Sequence, residues 1–144
     1  MTIQAIIFDV DGTLADTEDG HRQSFNKAFA EKGLDWNWDV ALYDKLLKVT
    51  GGKERIRYFV ESFLTGFAKP EDFEEFVRHL HKVKTAHYNT MLREGRIPLR
   101  PGIRQLLDDA RNGGIRLAIA TTTSPENIAT LLQQGLGADG ESWF

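Results

Sequence analysis

Two carboxylates stand two positions apart near the start of the chain, Asp9 and Asp11, directly after the apolar run 3–8. Such a run is typical of a buried β-strand, and two carboxylates at its end are costly to bury unless something positive lies between them. A divalent cation with a phosphoryl group would meet that need. Asp9 could then attack phosphorus, and Asp11 could protonate the leaving oxygen and later deprotonate water. Because an Asp-Gly turn is also a common hairpin signal, the pair alone leaves a structural interpretation open.

A second apolar run, 115–120, leads into three threonines at 121–123. Open α/β sheets carry their functional residues at the carboxyl ends of strands. Ser124 and Pro125 then form a helix-start signature, and the amides of a helix start favour an anion. Taken alone, the threonines are better explained as strand residues and caps. Together with the two aspartates they predict a phosphoryl site.

The composition is that of an ordinary globular domain and excludes several classes of function. The chain has 144 residues, a formal net charge of −3, 41% hydrophobic residues and no cysteine, so disulfides and thiolate chemistry are excluded. No basic stripe suggests nucleic acid, and no apolar stretch reaches the roughly 20 residues that span a bilayer. The run from Met1 to Gln4 leaves no room for a signal peptide. We therefore expect a cytoplasmic monomer, although a transit peptide removed before residue 1 is compatible with the same sequence.

Hydrophobic periodicity predicts an α/β core interrupted by a long helical insertion. The first strand, 3–8, should be buried on both faces, as in a central parallel strand. Helices are expected at 16–33, 39–49, through 56–63, from Pro70 to about Glu94, at 103–112 and from 124 to about 134, with the second strand at 115–120. Residues 1–15 and 99–144 then form the core, and residues 16–98 form an all-helical cap in which Trp36 and Trp38 are packing residues.

Three features of the predicted cap suggest ligand recognition. Glu18 and His21 lie one helical turn apart, and the loop 51–53 places a lysine after two glycines that permit close backbone approach. Lys84 interrupts the polar edge of the long helix. A cation on such a loop would suit a second phosphate or a sugar hydroxyl. A solvated helix position explains Lys53 equally well and explains Lys84 better. His79, His81 and His87 fit no metal-ligand spacing and are read as ordinary helix residues.

The string FDVDGTLADTE and the apolar strand that ends in Thr121 resemble motifs I and II of the haloacid dehalogenase (HAD) superfamily of phosphatases and phosphomutases. The resemblance implies a HAD-like Rossmannoid core, present here only in part, with an inserted helical cap. It implies that Asp9 is the nucleophile and Asp11 the general acid/base. It also implies a magnesium ion, Mg2+, on the Asp9 side chain and the Asp11 main-chain carbonyl, with phosphoryl oxygens held by the Thr121 hydroxyl and nearby amides.

Three further strings, TLADTExxH, TGGKERI and LRPGIxxLL…GIRLAIATTTS, are similar to the CbbY type of HAD phosphatase over essentially all 144 residues. That resemblance implies a small sugar phosphate as substrate, xylulose 1,5-bisphosphate in that group, and cap residues that meet it. The predicted phosphate- and substrate-binding residues are Gly12, Glu18, His21, Gly51, Gly52, Lys53, Arg55, Lys84, Thr121, Thr122 and Thr123.

The sequence departs from the family pattern after Thr121. The resemblance requires a later lysine that offsets charge at the nucleophile and a later acidic motif that completes the magnesium site. The chain has no lysine beyond Thr121, and its acids there, Glu126, Asp139 and Glu141, follow no apolar strand. We therefore expect the N-terminal part of a longer enzyme that is inactive or nearly so alone. Two alternatives stay open: a phosphomutase of the β-phosphoglucomutase type, and a non-enzymatic HAD-derived binding module.

Overall fold

The structure, a computed structural model, describes residues 3–144 and divides into two compact units. The core unit comprises the residues up to Gly20 together with 89–144, and the cap unit comprises residues 21–88. The predicted cap, 16–98, is thus wider at both ends than the cap unit. Residues 17–20, which begin one helix, and residues 89–93, which end another, belong to the core unit.

The elements follow the predicted order of one strand, a helical stretch, and then helix, strand and helix. They are β1 (Ala5–Phe8), α1 (Thr17–Glu31), α2 (Val40–Leu46), α3 (Gly52–Phe63), α4 (Phe73–Arg93), α5 (Ile103–Asn112), β2 (Arg116–Ile119), α6 (Pro125–Leu136) and a terminal 3-10 turn (Gly140–Trp143). The mixed α/β fold class is therefore confirmed.

In the core unit, β1 and β2 form a two-stranded parallel sheet in which Ala5 pairs with Arg116 and Phe8 with Ile119. Alternate strand side chains point to opposite faces. Phe8 is buried, but Ile3 and Ile7 are 64% and 68% exposed. The prediction that the first strand is buried on both faces is wrong for the face that carries Ile3 and Ile7, because within residues 3–144 nothing covers it.

The cap unit has its own aromatic core, centred on Trp38. The ring centroid of Trp38 lies 4.6 Å from that of Phe25, 4.9 Å from that of Phe29 and 5.3 Å from that of Phe59. Asn26 anchors the backbone of the same residue, because its amide donates to the Trp38 carbonyl at 2.9 Å and its oxygen accepts from the Trp38 N–H at 2.8 Å. The predicted packing role of the tryptophans is confirmed, since Trp38 is fully buried.

One sequence prediction about helices needs correction. Pro70 is not the first residue of α4, which begins at Phe73, because the Asp72 carboxylate accepts the Glu75 N–H at 2.8 Å and acts as the N-cap. Residues 140–143 form a 3-10 turn, which the sequence analysis did not predict. Between residues 3 and 144, no helix combines the length and apolar character needed to cross a membrane.

The aromatic core predicts a large difference between two phenylalanines of the cap unit. Phe29 is fully buried, whereas Phe63 is 38% exposed. Replacing Phe29 by alanine should lower the free energy of unfolding by about 3–5 kcal/mol, since it removes buried apolar surface and leaves a cavity. Phe63→Ala is the matched control and should cost clearly less. Urea denaturation of both variants measures the difference, and equal costs would contradict the assignment of Phe29 to the core.

Candidate active site

The loop after β1 is held by the carbonyl of Val10, a residue that is almost completely buried. This one oxygen accepts the N–H groups of Thr13, Leu14 and Ala15 at 3.0–3.2 Å. Gly12 has a φ of +71°, a left-handed conformation that glycine adopts without penalty, and its N–H donates to the Ala15 carbonyl at 2.9 Å. The turn therefore carries Asp11 on a short, internally bonded loop at the end of β1, with Asp9 exposed beside it.

Arg100 braces the same loop, and the sequence predictions did not include it among the site residues. Its backbone N–H donates to the Leu14 carbonyl at 2.9 Å, and its guanidinium donates to the Gly12 carbonyl. The string LRPG contains this arginine, but no feature of the string indicates that it contacts a loop 88 residues away in sequence.

The sheet brings the two predicted motifs together. Because Phe8 pairs with Ile119 and the Ala120 N–H donates to the Phe8 carbonyl at 2.9 Å, both strands end at the same edge. The Thr123 hydroxyl then donates to Oδ2 of Asp11 at 2.8 Å. The Thr123 N–H in turn donates to the Thr121 hydroxyl oxygen at 3.2 Å. The structure thus places a carboxylate and two hydroxyl groups within one hydrogen-bonded chain.

The start of α6 follows these threonines. The Ser124 side chain accepts the Asn127 N–H at 3.4 Å as the N-cap, and Pro125 occupies the first helical position, as the sequence predicted. An open cavity of about 420 Å³ lies beside Thr121 and Thr123, and its other lining residues are mostly apolar, among them Ile119, Ile128, Leu132 and Phe144. Thr122 is exposed and is not among the lining residues.

Asp9 and Asp11 are suited to a magnesium ion by the chemistry of their donors. Mg2+ prefers oxygen ligands, and it usually binds to one or two carboxylates together with waters and substrate phosphate oxygens. Within residues 3–144, the structure contains no group of three or more histidine or acidic side chains that could hold a metal ion. The two aspartates alone therefore match the one or two carboxylates that commonly bind this ion.

Arg55, one of the predicted substrate residues, makes its contacts inside the cap unit. Its guanidinium donates to the Leu46 carbonyl at 3.2 Å, the Tyr43 hydroxyl at 2.9 Å and the Val49 carbonyl at 3.1 Å. It also lies 5.2 Å from the centroid of the Tyr43 ring. These contacts tie the end of α2 to α3 and so fix the segment that precedes Gly51.

The glycine loop before α3 is crowded on both sides. A Cβ on Gly51, whose φ is +93°, would lie 2.2 Å from an oxygen of Glu54, and a Cβ on Gly52 would lie 2.4 Å from the His81 ring. The Glu54 carboxylate bonds to its own backbone N–H and to Arg57, which lowers the pKa of that carboxyl. The positive φ of Gly51 favours glycine at that position, while Gly52 lies close to the His81 ring. Lys53 is exposed.

His21 and Lys84 form a contact pair in the cap unit. Lys84 Nζ lies 2.8 Å from His21 Nδ1, and the His21 ring stacks on Tyr88 with ring centroids 4.0 Å apart. The sequence suggested that Lys84 lies at the polar edge of α4. In the structure Lys84 is only 7% exposed, so this prediction is wrong and the residue lies in the interior. Burial and the charges of Lys84, Arg55 and His81 lower the pKa of His21 to about 2.

Glu18 lies in the first turn of α1 and is half-buried. By position in the chain it belongs to the core unit. In that unit Asp11, Thr121 and Thr123 are hydrogen-bonded together. The predicted residues His21, Arg55, Lys84 and the glycine loop lie in the cap unit.

The lowered pKa of His21 predicts that the free energy of unfolding decreases as the pH is lowered. Below the unfolded pKa of about 6.5 the unfolded chain binds a proton at His21 that the folded chain does not bind, so the free energy of unfolding drops by at most about 1.4 kcal/mol per pH unit. Burial and nearby cations lower the pKa of His81 as well, which adds to the slope. Urea denaturation between about pH 5 and 7.5 should show a smaller slope in His21→Asn. His79→Asn, at an exposed position, is the control, and an unchanged slope in His21→Asn would contradict the assignment.

Comparison with known proteins places this geometry in a family. Protein CbbY, plasmid, of Cupriavidus necator is 51% identical over 142 residues, which cover 99% of this chain and 56% of that protein. The crystal structure of CbbY from Rhodobacter sphaeroides in complex with phosphate matches with a TM-score of 0.78 at 44% identity, covering 99% of this chain and 61% of that one. A mutant of the same CbbY, crystallised with xylulose-(1,5)bisphosphate, matches with a TM-score of 0.77 at 43% identity over the same shares.

The chain thus spans 56% of the Cupriavidus protein and 61% of each crystallised chain. Residues 3–143 match the family of haloacid dehalogenase-like hydrolases. Given this match and the meeting of the two strand-end motifs, the chain belongs to the haloacid dehalogenase-like hydrolase family.

Proposed function

We propose that these residues belong to a magnesium-dependent phosphatase that removes a phosphate from a small sugar phosphate through an aspartyl-phosphate intermediate. The observation that carries the proposal is the 2.8 Å hydrogen bond from the Thr123 hydroxyl to Asp11. It joins the loop after β1 to the loop after β2, so that acid/base and hydroxyl groups share one site. Its supporting context is the similarity to CbbY.

In this mechanism, Asp9 attacks the phosphorus atom and its Oδ forms a bond to phosphorus as the bond to the sugar oxygen breaks. Asp11 donates a proton to that leaving oxygen. It then takes a proton from the water that attacks the aspartyl phosphate, so that phosphate and free Asp9 result. The Thr121 hydroxyl and nearby backbone amides stabilise the oxygens of the transferring group, because hydrogen-bond donors fixed in place stabilise charge as it develops.

Magnesium, held by the Asp9 carboxylate and the Asp11 main-chain carbonyl, would supply positive charge between the two carboxylates and the phosphoryl oxygens. The exposed position of Asp9 leaves its oxygens accessible to an ion and a substrate. The loop bonds around the Val10 carbonyl keep the Asp11 backbone in place for the same role.

The proposed substrate is a sugar bisphosphate such as xylulose 1,5-bisphosphate, the ligand named for a crystallised CbbY mutant. The cap unit supports this choice because three cations converge there. Lys84 and Arg55 both lower the pKa of His21, and Lys84 and Lys53 both lower that of His81. Their positive field favours an anionic ligand group, and Lys53 is the exposed member that is able to reach one.

The alternative within the same chemistry is a phosphomutase, which returns the phosphoryl group to sugar instead of water. Phosphorus NMR of the products of turnover distinguishes the two, because a phosphatase releases free phosphate and a mutase forms an isomeric sugar phosphate. A non-enzymatic binding module would not bind a phosphoryl mimic at Asp9, and it would neither release phosphate from a sugar phosphate nor isomerise it.

The nucleophile is tested with beryllium fluoride and magnesium, which together mimic a phosphorylated aspartate. Bound at a hundred times its dissociation constant, a ligand stabilises the folded state by about 2.7 kcal/mol, so thermal denaturation should shift upward in the wild-type chain. Asp9→Asn should abolish the shift, whereas Asp16→Asn, at a nearby exposed position, should retain it. A shift that persists in Asp9→Asn, or no shift in the wild type, contradicts the proposed nucleophile.

The role of the cap is tested by titrating xylulose 1,5-bisphosphate into the Asp9→Asn chain with magnesium, by calorimetry. Adding Lys53→Met should weaken binding by about tenfold, roughly the 1.4 kcal/mol expected from loss of a charged hydrogen bond. Lys45→Met is the matched control, since Lys45 is exposed near the end of α2 and should leave the affinity unchanged. An equal affinity with and without Lys53 would exclude it as an anion contact.

A further inference from the structure

Gly12, which follows the acid Asp11 directly, is not confined by side-chain packing. A Cβ built on Gly12 would meet no atom beyond its chain neighbours within 4 Å. Its φ of +71° is a conformation that glycine adopts without steric cost. A glycine in open space is able to rotate the peptide groups on either side of it. The orientation of the loop at this point must therefore come from hydrogen bonds.

The turn holds the peptide group between Asp11 and Gly12. The N–H of this group, on Gly12, donates to the Ala15 carbonyl at 2.9 Å. Because the peptide is trans and planar, the Asp11 carbonyl points in the opposite direction, away from Ala15. This is the carbonyl that the proposed function assigns to magnesium, so the bond to Ala15 sets the direction of a metal ligand.

Arg100 holds the peptide group on the other side of Gly12. Its guanidinium donates to the Gly12 carbonyl, and a charged donor makes a stronger hydrogen bond than a neutral one. Arginine also stays protonated at every physiological pH. The backbone at Arg100 is aligned with the loop, because its N–H donates to the Leu14 carbonyl at 2.9 Å and Leu99 forms an antiparallel bridge with Ala15. Both peptide groups of Gly12 are thus fixed.

We infer that Arg100 is a positioning residue of the candidate active site, which holds the Gly12 carbonyl and so fixes the backbone that orients Asp11. In this role it touches neither the substrate nor the reacting atoms. The inference rests on the proposed function only in that the ligands of Asp9 and Asp11 are magnesium and a phosphoryl group. Without the guanidinium, Gly12 is free to rotate, and both ligands bind more weakly. Arg100 is exposed, so the global stability of the fold changes far less.

The first test is amide hydrogen exchange in the 15N-labelled chain without ligand. Arg100→Met removes the donors but keeps an apolar stem. The Gly12 N–H should exchange about tenfold faster in this variant, the factor expected from loss of a charged hydrogen bond. The Ala120 N–H, which bonds to the Phe8 carbonyl, should keep its wild-type rate. An unchanged rate at Gly12, or an equal acceleration at Ala120, overturns the inference, since the second result is a general loss of stability.

Two further substitutions separate the contact from the charge of the side chain. Arg96→Met removes an arginine from the same connecting segment, where it pairs with Glu94 at 2.6 Å, and should leave exchange at Gly12 unchanged. Arg100→Lys keeps a cationic donor for a single carbonyl and should keep the Gly12 rate close to the wild-type value. If Arg100→Met does not fold, Arg100→Lys decides, because a rate raised about tenfold in that folded variant is the opposing result.

The second test is calorimetric titration of the same variants with beryllium fluoride and magnesium. Arg100→Met should bind about tenfold more weakly than the wild type, a typical loss when a group that orients a metal ligand is removed. Arg96→Met and Arg100→Lys should bind with nearly wild-type affinity. Equal affinities of the wild type and folded Arg100→Met overturn the positioning role. Absence of binding in the wild type contradicts the proposed function instead, and exchange at Gly12 then decides whether Arg100 holds the loop.

Discussion

The parallel register between β1 and β2 is the constraint on which the candidate site depends. The pairing of Phe8 with Ile119, extended by the bond from the Ala120 N–H to the Phe8 carbonyl, makes both strands end at one edge. A slip of one residue would turn every strand side chain to the opposite face and separate the Thr123 hydroxyl from Asp11. The Val10 carbonyl, which accepts three N–H groups, and the guanidinium of Arg100 then hold the loop that the register has positioned.

The cap unit depends on a different set of forces. The aromatic core around Trp38 buries apolar surface. Two partly buried polar side chains also bind backbone groups of the same unit. Asn26 binds the backbone of Trp38, and Arg55 binds the carbonyls of Leu46 and Val49. The Arg55 contacts fix the segment that precedes the glycine loop.

Sequence reasoning predicted the order of the elements and the meeting of the two motifs, because both follow from local patterns. Apolar runs mark strands, and the carboxyl ends of parallel strands share an edge. It failed where the outcome depended on tertiary contacts. The exposed face of Ile7, the burial of Lys84 and the brace at Arg100 are set by partners distant in sequence, which periodicity does not report. Pro70 was misassigned as a helix start because two signals competed, and the Asp72 cap prevailed over the proline preference for a first helical position.

The most direct measurement of the central claim is the through-hydrogen-bond NMR coupling between the Ala120 amide nitrogen and the Phe8 carbonyl carbon in the labelled 144-residue chain. A coupling between these two atoms is the expected result, because their hydrogen bond of 2.9 Å closes the parallel pair at the edge where Asp11 and Thr123 meet. A coupling from Ala120 to a different carbonyl would show another register and contradict the account of the site.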